Sequence, residues 1–386
     1  MKITVITVCR NSADTIEKAI QSVLSQKYYD LEYIIIDGGS TDGTLDIIEK
    51  YRNDISVCIS EPDNGIYDAM NKGLGKAHGD IVAFLNSDDW YINDVDVLKK
   101  VEQYFLDSDA DIVSGNVYLY QHGKLDKLDR SKPEGENIFF GIVCPHPAMF
   151  VKREVYTRLG GFDTSYKIAA DTKWTILACM NDVSILCVED SFTCFRAGGI
   201  STTKRYDTLK EQYEVVLDCI QGRYTEELKE QIDSYYIGKL KEMEKEKCLE
   251  SALGERIEQV RGLFDCGSGY YIWGAGVRGK ECLKLFQRIG ISVNGFIDMY
   301  SATETIAGYK VFRPEEADEK SCICITPKGH EEEIKAYLNY SGIKKSRYFT
   351  YSEMLDRIRA VGKDESGPNS FYGGIRHGSA DCLFYG

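Results

Sequence analysis

The chain has 386 residues, a formal net charge of −14, and contents of 43% hydrophobic and 28% charged residues. These proportions are typical of a soluble globular protein, and the length allows two domains. The negative charge argues against a nucleic-acid partner, because phosphate binding requires a basic surface.

The sequence contains no recognisable membrane or export signal. No stretch approaches the ~18 consecutive apolar residues of a spanning helix. The first predicted strand begins almost at Met1, which leaves no room for a signal peptide. The thirteen cysteines are scattered without a Cys-x-x-Cys pair, a pattern typical of reduced intracellular thiols. We therefore expect a cytoplasmic protein, and peripheral contact with the inner face of the membrane stays open.

Strands and helices alternate from the N-terminus, which predicts a doubly wound sheet. The predicted elements are strands over 2–8, 31–36, 55–60, 81–85 and 112–119, and helices over 15–24, 44–51 and 95–105. Asp37 follows the second strand and begins the run Asp37-Gly-Gly-Ser-Thr-Asp-Gly43. A carboxylate at a strand's carboxyl end can accept hydrogen bonds from a nucleotide base or ribose. A helix-capping acid is the alternative.

The strand over 81–85 is an unbroken apolar run, followed by Asn86-Ser87-Asp88-Asp89. Such a run favours a parallel strand buried on both faces, with the acids at the sheet edge where ligands bind. Adjacent carboxylates repel each other unless a cation lies between them or one protonates. Oxygen ligands of this kind suit Mg²⁺ or Mn²⁺ bound together with substrate phosphates. A solvated acidic turn is the alternative.

Three segments in this order resemble the family-2 inverting nucleotide-sugar glycosyltransferases, which have the GT-A fold. The segments are Asp37–Thr44, Gly65–Gly73 and Phe84–Asp89, and the resemblance covers about residues 1–205. It implies that Asp37 contacts the nucleotide base. It also implies that the region corresponding to the family's Asp-x-Asp motif contacts ribose, diphosphate and metal.

Asn86 occupies a position that is often Asp in the family. This leaves Asp88 as the direct metal ligand. Asp89 is either a second metal ligand or a residue that forms a hydrogen bond with a metal ligand. We expect Mn²⁺ or Mg²⁺ as the cofactor. The predicted donor-binding residues are Val8, Arg10, Asp37, Tyr67, Asp68, Asn71, Lys72, Asn86, Ser87, Asp88 and Asp89.

Family members carry a segment similar to Cys144–Lys152 at the acceptor side of the site. His146 lies between two prolines, which hold the backbone extended, and is a candidate for binding diphosphate or acceptor. A structural histidine is the alternative. Asp171 begins an amphipathic helix and alone would indicate an N-cap. The resemblance implies instead that Asp171 is the catalytic base, which parallels the carboxylate of inverting hydrolases. The metal would neutralise the leaving diphosphate.

The segment Phe195–Lys204 places glycines beside hydroxyls and cations, which favours a lid near phosphate over a simple exit loop. Arg196, Ser201 and Lys204 are therefore further candidates for contacting diphosphate or acceptor. Residues 207–262 have helical spacing, and we expect a solvated connector or short hairpin there. The alternative is a helix that mediates dimerisation or faces a membrane, so a homodimer is one of the expected states.

The C-terminal part contains the run Gly274-Ala-Gly-Val-Arg-Gly279 between a predicted strand and helix, and the next strand ends in Asp298. This spacing is typical of a nucleotide-binding βαβ unit. Residues 269–350 resemble the small Rossmann-like domain in front of sugar-nucleotide acetyltransferases. Candidates for a second nucleotide site are Gly274, Gly276, Arg278, Gly279 and Asp298. A module used only for docking or dimerisation is the alternative.

The predicted fold class is α/β, with a GT-A type doubly wound mixed sheet, a helical connector and a small Rossmann-like α/β domain. The predicted boundaries are 1–206, 207–265 and 266–355, with a flexible tail over 356–386. The predicted function is that of an inverting hexosyltransferase, which takes the sugar from a nucleotide diphosphate sugar, with a UDP-sugar as the favoured donor. The predicted acceptor is a glycan or a lipid-linked sugar in cell-surface polysaccharide synthesis. The alternatives are a nicotinamide-dependent oxidoreductase and a non-catalytic nucleotide-sugar-binding protein working through residues 270–298.

Overall fold

A computed structural model describes most of the chain. The described residues are 1–92, 96–121, 123–127, 133, 135–141, 144–222, 224–264, 266–299, 301, 303–317 and 320–362. The chain divides into two compact units, Met1–Leu240 and the part from Lys241 onwards.

The first unit is built on a mixed sheet, whose described strands number nine. They are β1 (Ile3–Cys9), β2 (Leu31–Asp37), β3 (Val57–Ser60), β4 (Ile81–Phe84), β5 (Trp90–Tyr91), β6 (Ile112–Gln121), β7 (Lys124–Lys127), β8 (Met149–Lys152) and β9 (Ile185–Arg196). The spatial order is β3-β2-β1-β4-β8-β6-β9-β5, and β7 pairs with β6. The first four strands are parallel neighbours, whereas β8 is antiparallel to both β4 and β6.

Helices cover both faces of this sheet. They are α1 (Ile16–Leu24), α2 (Thr44–Lys50), α3 (Ile66–Leu74), α4 (Val97–Leu106), α5 (Arg153–Leu159), α6 (Ala170–Met180), α7 (Ile200–Thr203), α8 (Arg205–Ile220) and α9 (Glu226–Glu255), which crosses the division between the units. Every residue of β1 is buried, with Ile3 and Val5 in one core and Ile6 and Val8 in the other. The unbroken apolar runs therefore belong to strands covered on both sides, as predicted. Val95, the start of the helix predicted over 95–105, lies outside the described residues.

The parallel register brings three loops to one edge of the sheet. Cys9 pairs with Asp37, and Ile6 pairs with Phe84, so β1, β2 and β4 end together. The loops that follow are joined by hydrogen bonds: the Asn11 amide donates to Ser40 Oγ at 2.7 Å, and the Ser12 and Ser87 hydroxyls lie 2.9 Å apart. This edge positions the candidate site.

The stretch after residue 207 was predicted to be a solvated connector or a short helical hairpin, and it forms the two helices α8 and α9, which contact each other through Tyr213 and Tyr236. Tyr213, Val216 and Cys219 of α8 are buried in a third core with Ile176 of α6 and Ile232 of α9. Burial of this apolar stripe makes α8 part of the first unit. The predicted connector is thus divided, with 207–240 in the first unit and 241–265 in the second.

The second unit contains its own sheet in the order β12-β13-β11-β10-β14-β15. Its strands are β10 (Tyr270–Trp273), β11 (Val293–Ile297), β12 (Thr305–Ile306), β13 (Tyr309–Phe312), β14 (Cys322–Ile325) and β15 (Tyr348–Thr350). Its further helices are α10 (Ile257–Leu263), α11 (Val277–Ile289), α12 (Glu331–Tyr340) and α13 (Tyr351–Gly362). Except for the β12–β13 pair, the neighbouring strands are parallel.

The predicted tail over 356–386 begins within α13, and its part over 363–386 lies outside the described residues. Among the described helices, none combines the length and apolar character needed to cross a bilayer.

Candidate active site

A cavity of about 580 Å³ opens at the edge where β1 and β4 end, and we call it the polar cavity. Its charged and polar lining side chains include Arg10, Asn11, Ser12, Asp14, Thr15, Asp63, Asn86, Ser87, Asp88, Lys167, Arg196 and Ser201. Of the residues singled out from the sequence, the structure brings together here Val8, Arg10, Tyr67, Asn86, Ser87, Asp88, His146, Asp171, Arg196 and Ser201.

A second cavity of about 570 Å³ lies beside the first, and we call it the apolar cavity. Its apolar lining residues are Val117, Leu119, Ile138, Cys144, Pro145, Pro147, Ile168, Ile176, Cys179 and Phe195. Six residues line both cavities, namely His146, Pro147, Ile168, Asp171, Phe195 and Ser201. Asp171 therefore stands where a ligand in one cavity meets a ligand in the other.

The carboxylate of Asp171 is held by one oxygen. Its Oδ1 accepts a hydrogen bond from the Thr172 amide at 2.9 Å, and the Tyr67 hydroxyl lies 2.9 Å from the same atom. The Tyr67 hydroxyl also lies 2.7 Å from the Ile168 carbonyl, so its single proton serves two acceptors. No described residue forms a hydrogen bond with Oδ2. One oxygen of a fixed carboxylate is therefore available to a ligand.

Tyr67 keeps its proton at any physiological pH. Burial raises the pKa of this phenol far above its usual 10, and the charge of Asp171 raises it further. Tyr67 is thus a hydrogen-bond donor to its neighbours and not a competing base.

A glutamate on α8 fixes the segment that leads into α6. Glu211 accepts hydrogen bonds from the amides of Lys167, Ile168 and Ala169 at 2.6, 2.5 and 3.0 Å. A charged acceptor beside several amides at a helix start is strongly stabilising. The sequence reasoning missed Glu211, because it placed α8 in a solvated connector.

A lysine on α6 makes a second connection to the same helix. Lys173 Nζ lies 2.7 Å from Asp163 Oδ2 and 2.6 Å from Asp218 Oδ2. Asp218 stands seven residues after Glu211, a spacing of two turns that places both acids on one face of α8. This spacing is the signal from which the pair could have been found.

His146 is a buried histidine with an unused nitrogen. Its ring stacks on Phe84 with 5.3 Å between centroids, and its Nε2 atom has no hydrogen-bond partner among the described residues. Burial lowers the pKa of His146, and Asp171 opposes that effect only in part. A neutral imidazole therefore lies between the two cavities.

The two acids after β4 have different surroundings. Asp88 is half-buried and lines the polar cavity. Asp89 is fully buried, does not line the cavity, and accepts the Arg196 amide on Oδ1 at 3.0 Å. Burial raises the pKa of both carboxyl groups, and the charge of Asp88 raises that of Asp89 further. Asp89 thus lies behind the cavity lining, and its contact with the donor or the metal stays a prediction.

The side-chain oxygens of the residues close to Asp88 in sequence are of the type that binds a divalent cation. Asn86 Oδ1 and Asp89 Oδ2 are buried and lack hydrogen-bond partners in the described part of the chain. Unpaired buried oxygens are costly, and they are the ligand type that Mg²⁺ and Mn²⁺ take. The described residues contain no group of three His, Cys, Asp or Glu side chains that could hold a metal. An ion here would therefore need substrate oxygens as well.

Asp37, predicted to contact the nucleotide base, does not line the polar cavity. It is fully buried, and its Oδ2 accepts from the amides of Gly39 and Ser40 at 3.1 and 3.0 Å and from Ser60 Oγ at 2.6 Å. Burial acts to raise the pKa of Asp37, but the hydrogen bonds from Ser40 and Ser60 outweigh it and lower the pKa. Its carboxylate orders the loop after β2.

Three predicted donor-binding residues on α3 also serve the protein itself. Asn71 exchanges two 2.8 Å hydrogen bonds with the backbone of Phe162. Lys72 forms ion pairs with Glu61 at 2.9 Å and with Asp68 at 3.5 Å. Asp68, Asn71 and Lys72 do not line either cavity. Lys204, which lies between α7 and α8, does not line them either. Their polar groups hold loops in place, and sequence position alone does not distinguish that from ligand contact.

Comparison with known proteins identifies the family. The model of glycosyl transferase family 2 matches residues 4–160. An uncharacterised glycosyltransferase of Mycobacterium tuberculosis is 33% identical over 194 residues, which cover 48% of this chain and 72% of that protein. The chain belongs to glycosyltransferase family 2. Its first unit has the GT-A type fold, as predicted.

Further relatives of the transferase are more distant. A PGL/p-HBAD biosynthesis glycosyltransferase of Mycobacterium bovis is 29% identical over 205 residues, covering 50% of this chain and 76% of that one. The structure of S. aureus TarS residues 1–349 with UDP-GlcNAc has a TM-score of 0.49 and 20% identity, covering 61% and 72% of the two chains. Mannosyltransferase PcManGT from Pyrobaculum calidifontis, in complex with GDP-Man and Mn²⁺, has a TM-score of 0.46 and 21% identity, covering 61% and 69%.

The glycine loop in the second unit of the transferase is a compact turn. A Cβ atom at Gly279 would lie 2.0 Å from the Gly274 carbonyl oxygen, so only glycine fits, whereas Gly276 faces open space. Asp298 accepts the Ala275 amide at 3.3 Å and thereby stabilises the loop. Arg278 donates to Ser352 Oγ at 3.2 Å. A nucleotide site here stays a prediction.

Proposed function

We propose that this transferase moves a hexosyl group from a nucleotide diphosphate sugar in the polar cavity to a hydroxyl of an acceptor in the apolar cavity, with inversion at the anomeric carbon. The observation that carries the proposal is Asp171, which lines both cavities and keeps Oδ2 available. An inverting transfer requires one base at the meeting point of donor and acceptor.

The polar cavity suits a donor diphosphate. Arg10, Lys167 and Arg196 line it with exposed cationic side chains, and guanidinium groups match phosphate oxygens well. The Gly198-Gly199 pair lies close to the acids, since a Cβ atom at Gly199 would be 3.4 Å from Asp88 Oδ2. Gly198 has a φ of +127°, which favours glycine. We assign this pair to a lid over the diphosphate.

A divalent ion, Mn²⁺ or Mg²⁺, would be held by Asp88, with Asn86 Oδ1 and Asp89 Oδ2 as the adjoining unpaired oxygens. When bound, such an ion neutralises charge on a leaving diphosphate. Asp37 acts indirectly by ordering the loop after β2. UDP-sugars are the first donors to test.

The chemistry assigned to the chain's own residues is one proton transfer in a fixed geometry. Asp171 Oδ2 takes the proton of the acceptor hydroxyl as that oxygen bonds to the anomeric carbon. The bond from that carbon to the diphosphate oxygen breaks on the opposite face, and the electron pair leaves with the diphosphate. Thr172 and Tyr67 hold Oδ1, so the carboxylate points one way throughout. The proton then passes from Asp171 to solvent.

The name of the Mycobacterium bovis relative, a PGL/p-HBAD biosynthesis glycosyltransferase, supports a biosynthetic role. We propose that the acceptor is a glycan or a lipid-linked sugar in cell-surface polysaccharide synthesis. The proposed place of action is the cytoplasmic side of the membrane.

The test is a thermal-shift panel of UDP-, GDP- and dTDP-sugars on the full chain, with and without Mn²⁺. A ligand at a hundred times its Kd adds about 2.7 kcal/mol to the free energy of unfolding. We expect one nucleotide class to raise Tm, and Mn²⁺ to enlarge the shift. NMR of the product with that donor should show the anomeric configuration inverted. Retention of configuration, or no shift with any nucleotide sugar, would refute the proposal.

A further inference from the structure

The apolar cavity differs from the polar one in what it offers a ligand. Val117 and Leu119 of β6, Ile138, Ile176 of α6 and Phe195 of β9 contribute apolar side chains from separate elements. The apolar lining therefore comes from several elements of the fold and not from one exposed patch of a single element.

Three of the hydroxyls in this lining are already used inside the protein. Thr175 Oγ1 donates to the Asp171 carbonyl at 2.9 Å, Thr202 Oγ1 to the Gly199 carbonyl at 2.9 Å, and Thr208 Oγ1 to the Lys204 carbonyl at 3.0 Å. Beside these three threonines and the apolar side chains, a ligand rich in hydroxyls would lose water without gaining equivalent hydrogen bonds, which is costly.

Polar atoms for a ligand lie at the border with the polar cavity, and the side chains of Arg205 and Gln212 are further polar groups in the lining of the apolar cavity. Asp171 Oδ2 and the unpartnered His146 Nε2 belong to residues that line both cavities. An acceptor that fits this arrangement has its reactive hydroxyl at one end and apolar surface behind it.

We propose that the acceptor unit bearing the hydroxyl carries an apolar aglycone, alkyl or aryl, which occupies the apolar cavity. This inference rests on the proposed function for the direction of transfer. It narrows the acceptor class, because an unsubstituted sugar or a purely polar glycan would leave the apolar lining without a partner.

The expected dependence on aglycone size follows from the hydrophobic effect. Each methylene buried contributes about a fourfold gain in affinity, or about 0.8 kcal/mol, until the cavity is full. A methyl glycoside should bind weakly, and affinity should rise with chain length and then level off.

The experiment titrates the full chain with methyl, n-butyl, n-hexyl and phenyl β-D-glucopyranosides by calorimetry, below micelle-forming concentrations. We expect hexyl glucoside to bind at least tenfold more tightly than methyl glucoside, and the phenyl arm to separate aryl from alkyl preference. Equal affinities for methyl, hexyl and phenyl glucosides would overturn the inference.

Two variants locate the effect. Leu119→Asn places a polar group in the lining, and Leu125→Asn, on exposed β7, is the matched control. Cys179→Phe fills the cavity, so it tests the same point if Leu119→Asn does not fold. We expect loss of the hexyl preference in Leu119→Asn and Cys179→Phe and its retention in Leu125→Asn. An unchanged hexyl preference in Cys179→Phe would overturn the inference.

A parallel titration with UDP-sugars and Mn²⁺ separates the two proposals. If the donor binds but aglycone length has no effect, this inference fails and the proposed function stands. If the length dependence is found but no nucleotide sugar binds, the proposed function fails.

Discussion

The hydroxyl of Tyr67 lies 2.9 Å from Oδ1 of Asp171, across 104 positions of sequence. Tyr67 belongs to α3 and Asp171 to α6, so the hydrogen bond joins two helices that begin at the same end of the sheet. It fixes the orientation of the proposed base from the donor side of the site. The following predictions test the residues that create this geometry.

Tyr67→Phe should lower kcat by about tenfold, a larger factor than its effect on the donor Kd. The variant removes a hydrogen bond to a charged group, which is worth about 1.5–3 kcal/mol. If about 1.4 kcal/mol of this is lost from the stabilisation of the transition state, kcat falls by a factor of ten. Tyr33→Phe is the control, because Tyr33 is equally buried and its hydroxyl pairs with Thr7 at 3.0 Å in the core. A Tyr67→Phe enzyme with wild-type kcat would show that Asp171 needs no such support.

Glu211→Ala should reduce kcat more than it reduces donor affinity. It leaves three amides before α6 without their acceptor, and loss of an N-terminal cap costs about 0.5–2 kcal/mol. Glu211→Gln retains acceptor oxygen and should recover part of the rate. Glu214→Ala on the same helix is the control, since Glu214 is exposed and its ion pair with Lys210 is long, at 3.8 Å. A fall in Tm with no change in kcat would make Glu211 purely structural.

Asp88→Asn should abolish metal-dependent donor binding in a folded protein. Asp88 is the acid that faces the polar cavity, and removing its charge weakens any divalent ion held beside Asn86 and Asp89. The measurement is donor Kd with Mn²⁺ and with a chelator, with Asp126→Asn on exposed β7 as the control. Undiminished turnover of Asp88→Asn in the presence of chelator would contradict the metal assignment.

Glu32 should contribute to stability without affecting catalysis. It accepts hydrogen bonds from Thr4 Oγ1 at 2.6 Å, the His78 amide at 2.7 Å and Lys2 Nζ at 3.1 Å. Burial acts to raise its pKa, but these hydrogen bonds lower it from 4.5 to about 2. Because the folded pKa is depressed, the contribution is present above pH 4.5 and is lost as pH falls towards 2.

The variant Glu32→Gln should therefore lose up to about 3 kcal/mol of unfolding free energy at pH 7. The difference from wild type should shrink as pH falls from 5 towards 3, while kcat at pH 7 stays unchanged. Urea unfolding at several pH values measures this. A difference independent of pH would mean that Glu32 acts through packing and not through its charge.

Local patterns predicted the fold of the first unit and part of the site. The apolar runs of β1, β2 and β4 are buried on both faces, and this forces the acids and glycines after them to one edge. Asp88 and Asp171 were found because such positions follow from strand order and family motif. The roles of both residues stay predictions.

Contacts between distant segments could not be predicted in the same way. Glu211 lies 42 residues after Ala169, in a helix whose charged composition resembles a solvated one. Asp37 accepts a hydrogen bond from Ser60, 23 positions later, which the local sequence does not predict, and its contact with the nucleotide base stays a prediction. Strand β9 was not predicted, since the polar residues Glu189, Asp190 and Ser191 interrupt its apolar pattern. In each case the decisive partner is set by tertiary packing.

The most direct measurement is kcat and donor Kd of Asp171→Asn beside wild type, with the nucleotide sugar found in the panel. The variant keeps the size of the side chain and its contacts at Oδ1, but removes the base. A general base contributes about 10²–10⁴-fold, so kcat should fall by that factor with donor Kd unchanged. Loss of donor binding with an unchanged rate at saturation would contradict the account, because Asp171 would then bind the donor and not activate the acceptor.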